Sequence, residues 1–307
     1  MRGAECEGDG AKATVPLYQH HQPRTPAPPH RRTWARAFLA AALVLCVASA
    51  AAAQFGRFFG GFGRGAPPRF PTADTFGHGF NFCRGIYTSV RRQAGGSGWT
   101  TDYPDAELNF SIRLAELTKT RVKKDATGTP EFVTVRLTDD ALFQCPQLHM
   151  EDVGTIDFSE EEVLALRTWL RKGGFLWVDD FWGSEAWEDW VSQFSRILPP
   201  SEYPIVDLPL DHPIFRSQFV VTEFPQIPSI QAWRGNDIDT SERGYDSETP
   251  HARAVSDAHG NVMVLMTHNT DISDAWEREG EDPRYFYQFS PRGYAVGINV
   301  ILYAMTH

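Results

Sequence analysis

The sequence predicts an α/β fold in which a doubly wound, mostly parallel sheet carries helices on both faces. Residues 159–183, SEEEVLALRTWLRKGGFLWVDDFWG, indicate a helix, a turn and a buried strand in succession. The strand in this segment, Phe175 to Val178, is apolar without alternation, as expected of a strand that is covered on both faces. Other predicted strands and helices alternate along the chain, which is typical of a parallel sheet.

The first predicted elements lie between residues 80 and 158. A core strand is expected at residues 80–87, and Pro104 is expected at the first position of the next helix, where its fixed φ and missing amide are tolerated. Residues 132–137 form the next predicted strand. The segment from there to Phe158 shows no clear period, so we interpret it as irregular.

The helix before the buried strand has clear end signals. Ser159 and Glu162 form a capping box, which predicts a helix start at about Glu160. Gly173 and Gly174 supply the positive φ that ends a helix at little cost. A second helix follows, with Ser184 as its expected cap and apolar residues at helical spacing.

The C-terminal third predicts a short strand, a hairpin and a helix. The short strand is expected at residues 205–208. Residues 253–256 and 262–267 flank a turn sequence, so we expect an antiparallel hairpin near the C-terminal end. Ser290 and Pro291 are predicted to open the last helix.

The first 78 residues are expected to lie outside the folded domain. Residues 1–30 are interpreted as a disordered extension or a mispredicted start, and residues 54–78 as a Gly/Phe/Arg/Pro-rich linker. Arginines followed by an uncharged run make residues 31–53 an export signal, or an N-terminal anchor if residues 37–53 are not cleaved. We therefore expect residues 79–307 to form a single α/β domain in the periplasm or cell envelope, with membrane contact only through the N-terminal segment.

Charge and cysteine content restrict the partners of this domain. The first 53 residues hold six Lys or Arg and three Asp or Glu, so the remainder carries 23 basic and 36 acidic residues, a net charge of −13. So acidic a surface argues against nucleic acid as a partner. Cys83 and Cys145 are the cysteines of this part, and they either form a disulfide in an oxidising compartment or remain core thiols.

Acidic residues follow several of the predicted strands. Because parallel strands finish at one edge of a sheet, we expect Asp102, Asp139-Asp140 and Asp179-Asp180 to lie near that edge, where ligands bind in open α/β folds. A lone Asp at such a junction more often caps a helix or closes a turn. The candidate ligand-binding residues are Asp102, Tyr103, Asp179, Asp180 and Trp182.

The same edge offers an alternative, metal-dependent chemistry. Carboxylates there are suited to a hard divalent cation, and with a histidine they are suited to a transition metal or to the activation of water. The candidate metal ligands are Asp179, Asp180, His268 and Asp271. This alternative is a metal-dependent hydrolase acting on an envelope glycan or peptide. No other cofactor is predicted, and the chain has no G-x-S-x-G or G-x-C-x-G nucleophile elbow, HExxH, P-loop or CxxC pair.

Four segments together resemble a known bacterial family. TTDYPDAELNFSIRL, ALRTWLRKGGFLWVDDFWG, LDHPIF and GYAVGINVILYA are similar to segments of the domain of unknown function 4159 family, over about residues 79–307. The resemblance implies a divergent class I glutamine amidotransferase-like, flavodoxin-like fold in an exported protein. Amidotransferases need a cysteine on a strand-to-helix elbow and a downstream histidine paired with glutamate, and neither Cys83 nor Cys145 has that context. We therefore expect a non-catalytic module that binds an envelope protein or a small molecule.

Overall fold

The computed structural model describes residues 66–77, 79–235 and 240–307. In these residues a seven-stranded sheet has the order β2-β1-β3-β4-β7-β6-β5. Neighbouring strands from β2 to β7 are parallel, whereas β6 pairs antiparallel with both β7 and β5. This confirms a mixed α/β fold with a mostly parallel sheet and the C-terminal hairpin. The strands are β1 (Phe82–Ile86), β2 (Phe132–Arg136), β3 (Gln147–Glu151), β4 (Phe175–Phe181), β5 (Val206–Asp207), β6 (His251–Ser256) and β7 (Val262–His268).

The helices pack against the sheet through two separate hydrophobic cores. Successive residues of a strand point to opposite faces, and in β4 Trp177 joins one core while Leu176 and Val178 join the other. The first core contains residues of α1 and α6, and the second contains residues of α2 and α3. The helices are α1 (Asp105–Leu117), α2 (Glu160–Arg171), α3 (Gly183–Ile197), α4 (Ile230–Gly235), α5 (Asp274–Glu277) and α6 (Pro283–Ala304).

Helix α2 begins and ends where its sequence signals predict. The Glu162 amide donates to Ser159 Oγ over 3.2 Å, and the Ser159 amide donates to Glu162 Oε2 over 2.8 Å, which completes the capping box. At the other end Gly173 has a φ of +94°, and a Cβ on Gly174 would lie 2.3 Å from the Trp169 ring. Both glycines are therefore required, one for its backbone conformation and the other for the close approach of a ring.

Strand β3 corrects the prediction of an irregular segment before Phe158. Its five residues are all buried although they alternate between polar and apolar types. Leu148 and Met150 face the second core, whereas His149 and Glu151 are buried among other polar groups. Such alternation normally marks a strand with one face in water, and a polar strand at the centre of a sheet is hard to recognise from pattern alone.

Three predicted helix starts move by one or more residues. Helix α1 begins at Asp105 with Pro104 at the cap position, and α3 begins at Gly183, because the Ser184 amide already donates to the Asp246 carboxylate over 2.9 Å. The last helix begins seven residues before Ser290, at Pro283, after Asp282 accepts a hydrogen bond from the Arg284 amide. Pro291 therefore lies inside α6 and does not open it.

The N-terminal predictions fall mostly outside the described residues, which begin at residue 66. The extension, the export signal and residues 54–65 of the linker all lie there. From residue 66 onward, the linker contacts the domain: the Thr134 amide of the edge strand β2 donates to the carbonyl of Arg69 over 2.9 Å. No helix among the described residues is long and apolar enough to cross a membrane.

The two cysteines are joined. Cys83 in β1 and Cys145, two residues before β3, form a disulfide across a sequence separation of 62 residues. Both side chains are buried in the second core. Of the two possibilities left open by the sequence, the structure shows the disulfide and not the core thiols.

Candidate functional site

Five buried carboxylates lie close together at the carboxyl edge of the sheet, and we name them the acidic rim. Asp102 comes from the loop between β1 and α1, Asp180 from the end of β4, and the others from the segment that follows β7. One carboxylate oxygen from each of Asp102, Asp271 and Asp274 lies within 4.8 Å of the other two. The rim consists of Asp102, Asp180, Asp271, Asp274 and Glu277.

Local hydrogen bonds hold several of these side chains in place. Asp271 Oδ1 accepts from the Asp274 amide over 2.8 Å. Asp274 Oδ2 accepts from the Ile230 amide over 2.7 Å and from the Tyr285 hydroxyl over 2.9 Å. Asp102 differs from both, because its buried Oδ2 atom accepts from no amide, guanidinium or hydroxyl, and its side chain contacts the carboxyl group of Glu277. Asp271 and Asp274 are thus held by nitrogen and hydroxyl donors, whereas Asp102 is held against another acid.

Asp180 reaches the rim because β4 changes register at its carboxyl end. The pairing between β4 and β7 shifts between Val178 and Phe181, and Asp180 has a φ of +50°. The indole of Trp182 donates to Asp180 Oδ1 over 2.8 Å. Asp180 is 8% exposed and Asp102 is 9% exposed, and Glu277 is partly exposed, so these three rim residues have some contact with solvent.

Burial raises the pKa of every carboxyl group in the rim, and mutual repulsion adds to it for all of them except Asp274. Burial is the main cause for Asp102, Asp180 and Asp271, whose pKa values lie well above the ordinary range, and the neighbouring carboxylates add to it. The pKa of Asp274 rises to about 6 and that of Glu277 to about 11, again mainly through burial. A buried carboxyl group with a raised pKa is either protonated or in need of a positive partner.

Arg278 supplies positive charge at one side of the rim. Its guanidinium lies 2.7 Å from Glu277 Oε2 and 3.5 Å from Asp274 Oδ1, and it also reaches Glu281. These ion pairs lower the pKa of Asp274 and Glu277 relative to what burial alone would produce. One guanidinium cannot neutralise five carboxylates, so the rim is strongly electronegative when its acids are ionised.

A second group of polar residues lies beneath the rim, and we name it the buried network. Its residues are fully buried on the sheet face that packs against α1 and α6. Arg84 forms an ion pair with Glu107 and lies 3.5 Å from Glu151, and His149 Nε2 bonds to Glu151 Oε1. The network consists of Arg84, Glu107, His149, Glu151 and Asp179.

The buried network positions the loops that carry the rim. Arg84 Nη1 donates to the carbonyl of Thr101 over 2.9 Å, next to Asp102. Asp179 Oδ2 accepts from the amides of Ile272 and Ser273 over 2.8 and 3.1 Å, and these two residues lie between Asp271 and Asp274. The network therefore fixes both chain segments whose carboxylates converge at the edge of the sheet.

The structure separates the five residues predicted to bind a ligand. Asp102 and Asp180 belong to the rim, and Trp182 lies behind Asp180 with 3% of its surface exposed. Asp179 belongs to the buried network, where Thr267, Ile272 and Ser273 donate to its two oxygens. Tyr103 packs against Trp99 and Phe132 and donates its hydroxyl to the carbonyl of Pro67 over 2.9 Å. Tyr103 is thus directed to the linker and not to the acids.

The structure does not bring the predicted metal ligand His268 to the acids. Thr267 contacts Asp179, and because neighbouring residues of a strand face opposite ways, His268 points to the other face. There its Nε2 lies 3.0 Å from the Gly183 carbonyl and its Nδ1 lies 3.3 Å from Arg253 Nη1. Burial is the main reason that its pKa falls to about 4. Asp179 and Asp271 also separate, into the network and the rim respectively.

Other predicted acids serve local structure. Asp139 lies 3.7 Å from Arg136 at the end of the edge strand β2, and Asp140 is exposed at the start of a 3-10 helix. Both lie in a backbone turn, and the Asp139 side chain occupies the cap position without making a cap hydrogen bond. Conversely, sequence reasoning missed His149, Glu151, Asp274 and Glu277. The His149-Met150-Glu151 alternation was the available signal for the first two.

The histidine of the buried network is not arranged as a catalytic base. Ser273 Oγ and Glu151 both contact the same ring nitrogen, His149 Nε2, the former over 3.1 Å. In a Ser-His-acid triad the nucleophile and the carboxylate take opposite ring nitrogens. Here Nδ1 has no hydrogen-bond partner, and both His149 and Ser273 are fully buried. The arrangement is that of a structural hydrogen-bond network.

A separate cavity lies at the opposite, amino edge of the sheet. It has a volume of about 690 Å³ and lies between the end of α2 and the β6–β7 turn. Its lining combines Arg171 and His259 with Glu202 and Asp257. Charges of both signs alternate there, unlike the acid-rich edge.

Comparison with known proteins identifies the family. A family model described as Domain of unknown function (DUF4159) matches residues 88–305, which include the acidic rim and all of the buried network except Arg84. Among curated proteins none matches the chain. Since the family model covers more than half of the sequence, this chain belongs to the DUF4159 family.

Proposed function

We propose that this protein is a non-catalytic ligand-binding module of the bacterial cell envelope, and that a positively charged ligand binds at the acidic rim. The observation that carries the proposal is the burial of five carboxylates beside the guanidinium of Arg278, with Arg84, already paired in the buried network, as a second positive charge near Asp102. The rim lies at the carboxyl edge of the parallel strands, where open α/β sheets usually bind their ligands. The ligand is a small molecule, a metal ion or a basic group of an envelope protein.

The electrostatics of the rim support a cationic ligand. Transfer of ionised carboxylates into a protein interior is costly unless each is paired, and the raised pKa values of the rim express that cost. Each pKa unit corresponds to about 1.4 kcal/mol of preference for the neutral form. A bound cation would favour the ionised form and recover this free energy, so the unliganded rim has a strong intrinsic affinity for positive charge.

The arrangement of cysteine and histidine supports a binding role in preference to catalysis. Cys83 and Cys145 are joined to each other, so neither is a free thiol for amidotransferase chemistry. His149 shares one nitrogen between Ser273 and Glu151. The alternative of a metal-dependent hydrolase retains the rim carboxylates but loses His268, whose two nitrogens contact Gly183 and Arg253.

The disulfide also supports the proposed location. Disulfides persist in oxidising compartments such as the periplasm and are rare in the bacterial cytosol. Together with the export signal or anchor expected in residues 31–53, the Cys83–Cys145 bond favours an envelope protein. We further propose the doubly wound, flavodoxin-like arrangement, because the order β2-β1-β3-β4-β7 corresponds to the 2-1-3-4-5 order of that fold.

Melting temperatures of the full-length chain test the proposed function. The probes are CaCl2, MgCl2, MnCl2, spermidine and lysine, each added to protein that has been treated with chelator and dialysed. At least one probe should raise the melting temperature by about 5–10 °C at a concentration about 100 times its Kd. Asp271→Asn should abolish the shift, because the amide keeps the bond to the Asp274 backbone but removes one charge.

Asp139→Asn is the matched control. It removes the same charge from an acid at the end of β2, outside the rim, so its shift should equal that of the wild type. If no probe raises the melting temperature of the wild type, or if Asp271→Asn and the wild type respond equally, the proposed function is wrong.

A further inference from the structure

We propose that Asp102, Asp271 and Asp274 form a binding site for a hard divalent cation, Ca²⁺ or Mg²⁺, inside the acidic rim. This inference rests on the proposed function and specifies its ligand. Each of the three side chains offers one carboxylate oxygen, and the three oxygens lie within 4.8 Å of one another. They come from two chain segments, the loop before α1 and the segment after β7, that the buried network holds in place.

The spacing of the three oxygens suits one shared ion. Calcium binds oxygen ligands at about 2.3–2.6 Å, so ligands on opposite sides of the ion are about 5 Å apart. Magnesium binds at about 2.1 Å and places opposite ligands about 4 Å apart. Three oxygens no more than 4.8 Å apart lie within about 2.8 Å of a common centre, so they can contact one calcium ion after little or no contraction and one magnesium ion after a larger one.

An independent observation at Asp102 points to a ligand. Asp102 is 9% exposed, and its Oδ2 atom has no hydrogen-bond donor. A buried acceptor without a donor lowers stability, and a charged one lowers it more. Asp271 is oriented by a donor on one of its two oxygens, and Asp274 by two donors on Oδ2 with Arg278 near Oδ1. The side chain of Asp102 instead contacts a second carboxyl group, that of Glu277, and two carboxylates in contact need a proton or a cation between them.

The chemistry of the donor atoms selects the class of metal. All three ligands are carboxylates, and neither nitrogen nor sulfur belongs to the group. Oxygen-only sites favour calcium and magnesium, whereas zinc in proteins is commonly held by histidine or cysteine. Charge balance agrees with this choice: fully ionised, the rim carries five negative charges against the one positive charge of Arg278, so a divalent ion reduces the excess by half.

The other potential cluster is less suitable. His149, Glu151 and Asp179 also offer atoms within 4.8 Å of one another, and all three are fully buried. However, Thr267, Ile272 and Ser273 donate to both oxygens of Asp179, so an ion there would compete with donors on each of them. We therefore assign the ion to the rim and a positioning role to the network below it.

Isothermal titration calorimetry of the full-length chain with CaCl2, MgCl2 and ZnCl2 tests the site. We expect about one calcium or magnesium ion per chain, bound more tightly than zinc. Asp102→Asn should weaken this binding by about 10–100-fold or more. Loss of a residue that only hydrogen-bonds to a metal ligand already weakens metal binding by that factor, and Asp102 is a proposed ligand itself. Asp139→Asn should bind as the wild type does. Circular dichroism should show that each variant remains folded.

The outcomes separate this inference from the proposed function. Failure of both calcium and magnesium to bind, or unchanged binding in Asp102→Asn, overturns the metal site. Suppose that spermidine or lysine raises the melting temperature, that the metal ions do not, and that Asp271→Asn abolishes the rise. The metal site is then wrong and the proposed function stands. If neither metals nor organic cations act, both are wrong.

Discussion

Asp152 is a single residue whose titration connects the candidate site to stability. It follows β3 and accepts a hydrogen bond from the Gly98 amide over 2.9 Å, at the glycine-rich loop before Asp102. Its pKa is raised to about 7, mainly by burial. The hydrogen bond from Gly98 acts against this rise, whereas the charge of Glu151 adds to it. The glycines are needed here, since a Cβ on Gly96 would lie 2.3 Å from Asp152 Oδ2.

This raised pKa predicts a definite dependence of stability on pH. The folded protein retains the Asp152 proton up to about pH 7, whereas the unfolded chain releases it near pH 4, so stability from this group is present at low pH and is lost as the pH rises through that window. Asp152→Asn removes this titration. Between pH 4 and 7 the free energy of unfolding of the variant should therefore fall by up to about 4 kcal/mol less than that of the wild type. Urea unfolding across that range measures it, and parallel profiles for the two proteins would refute the assignment.

At the scale of elements, the capping box of α2 makes a quantitative prediction. Ser159→Ala removes the hydroxyl that accepts from the Glu162 amide and should lower the free energy of unfolding by about 1 kcal/mol. Ser159→Thr keeps a hydroxyl and should lie within about 0.5 kcal/mol of the wild type. Urea unfolding of the three proteins gives the comparison. An alanine variant as stable as the wild type would mean that the cap contributes nothing.

Elements with local signals were predictable from the sequence. Helix α2 follows from Ser159 and Gly173, and β4 from its uninterrupted apolar run, because caps, turns and hydrophobic burial act over a few residues. Strand β3 was missed because His149 and Glu151 are buried by partners distant in sequence, which no local pattern shows. The start of α6 was misplaced because Pro291 was interpreted as a first-turn proline.

The candidate site was predictable only in part, for the same reason. Parallel strands predict that acids gather at one edge, and Asp102 and Asp180 do lie together there. The sheet face to which each side chain points depends on strand register, which the sequence does not show. Thr267, and not His268, therefore contacts Asp179. Asp274 and Glu277 lie on the short helix α5, which has a single turn and no strong sequence period.

At the scale of the whole molecule, the disulfide constrains the unfolded chain. Cys83–Cys145 closes a loop of about 60 residues, for which loss of chain entropy on cross-linking corresponds to about 4 kcal/mol. The double variant Cys83→Ala/Cys145→Ala should lose free energy of unfolding on that scale. Urea unfolding of the wild type with and without reductant is the control, since reduction should reproduce most of the loss. Equal midpoints for oxidised wild type and variant would show that the bond does not stabilise the fold.

The molecule as a whole combines two polar groups with opposite roles. The buried network is connected by ion pairs and hydrogen bonds, and it holds β1, β3 and β4 to the loops above them. The acidic rim gathers five carboxyl groups with raised pKa values, so their ionisation lowers stability when no cation is bound. This contrast is typical of functional sites, where groups are retained for binding at a cost in stability.

The melting temperature of Asp102→Asn at pH 7, without added ligand, tests this central claim most directly. Asn tolerates the left-handed conformation of residue 102, whose φ is +60°, so the substitution changes charge with little strain. We predict that the unliganded variant melts at the same temperature as the wild type or about 2–5 °C higher, because one buried, unpaired carboxylate is removed. A melting temperature more than about 5 °C lower would show that Asp102 stabilises the fold, and would contradict a rim that is retained for a cationic ligand.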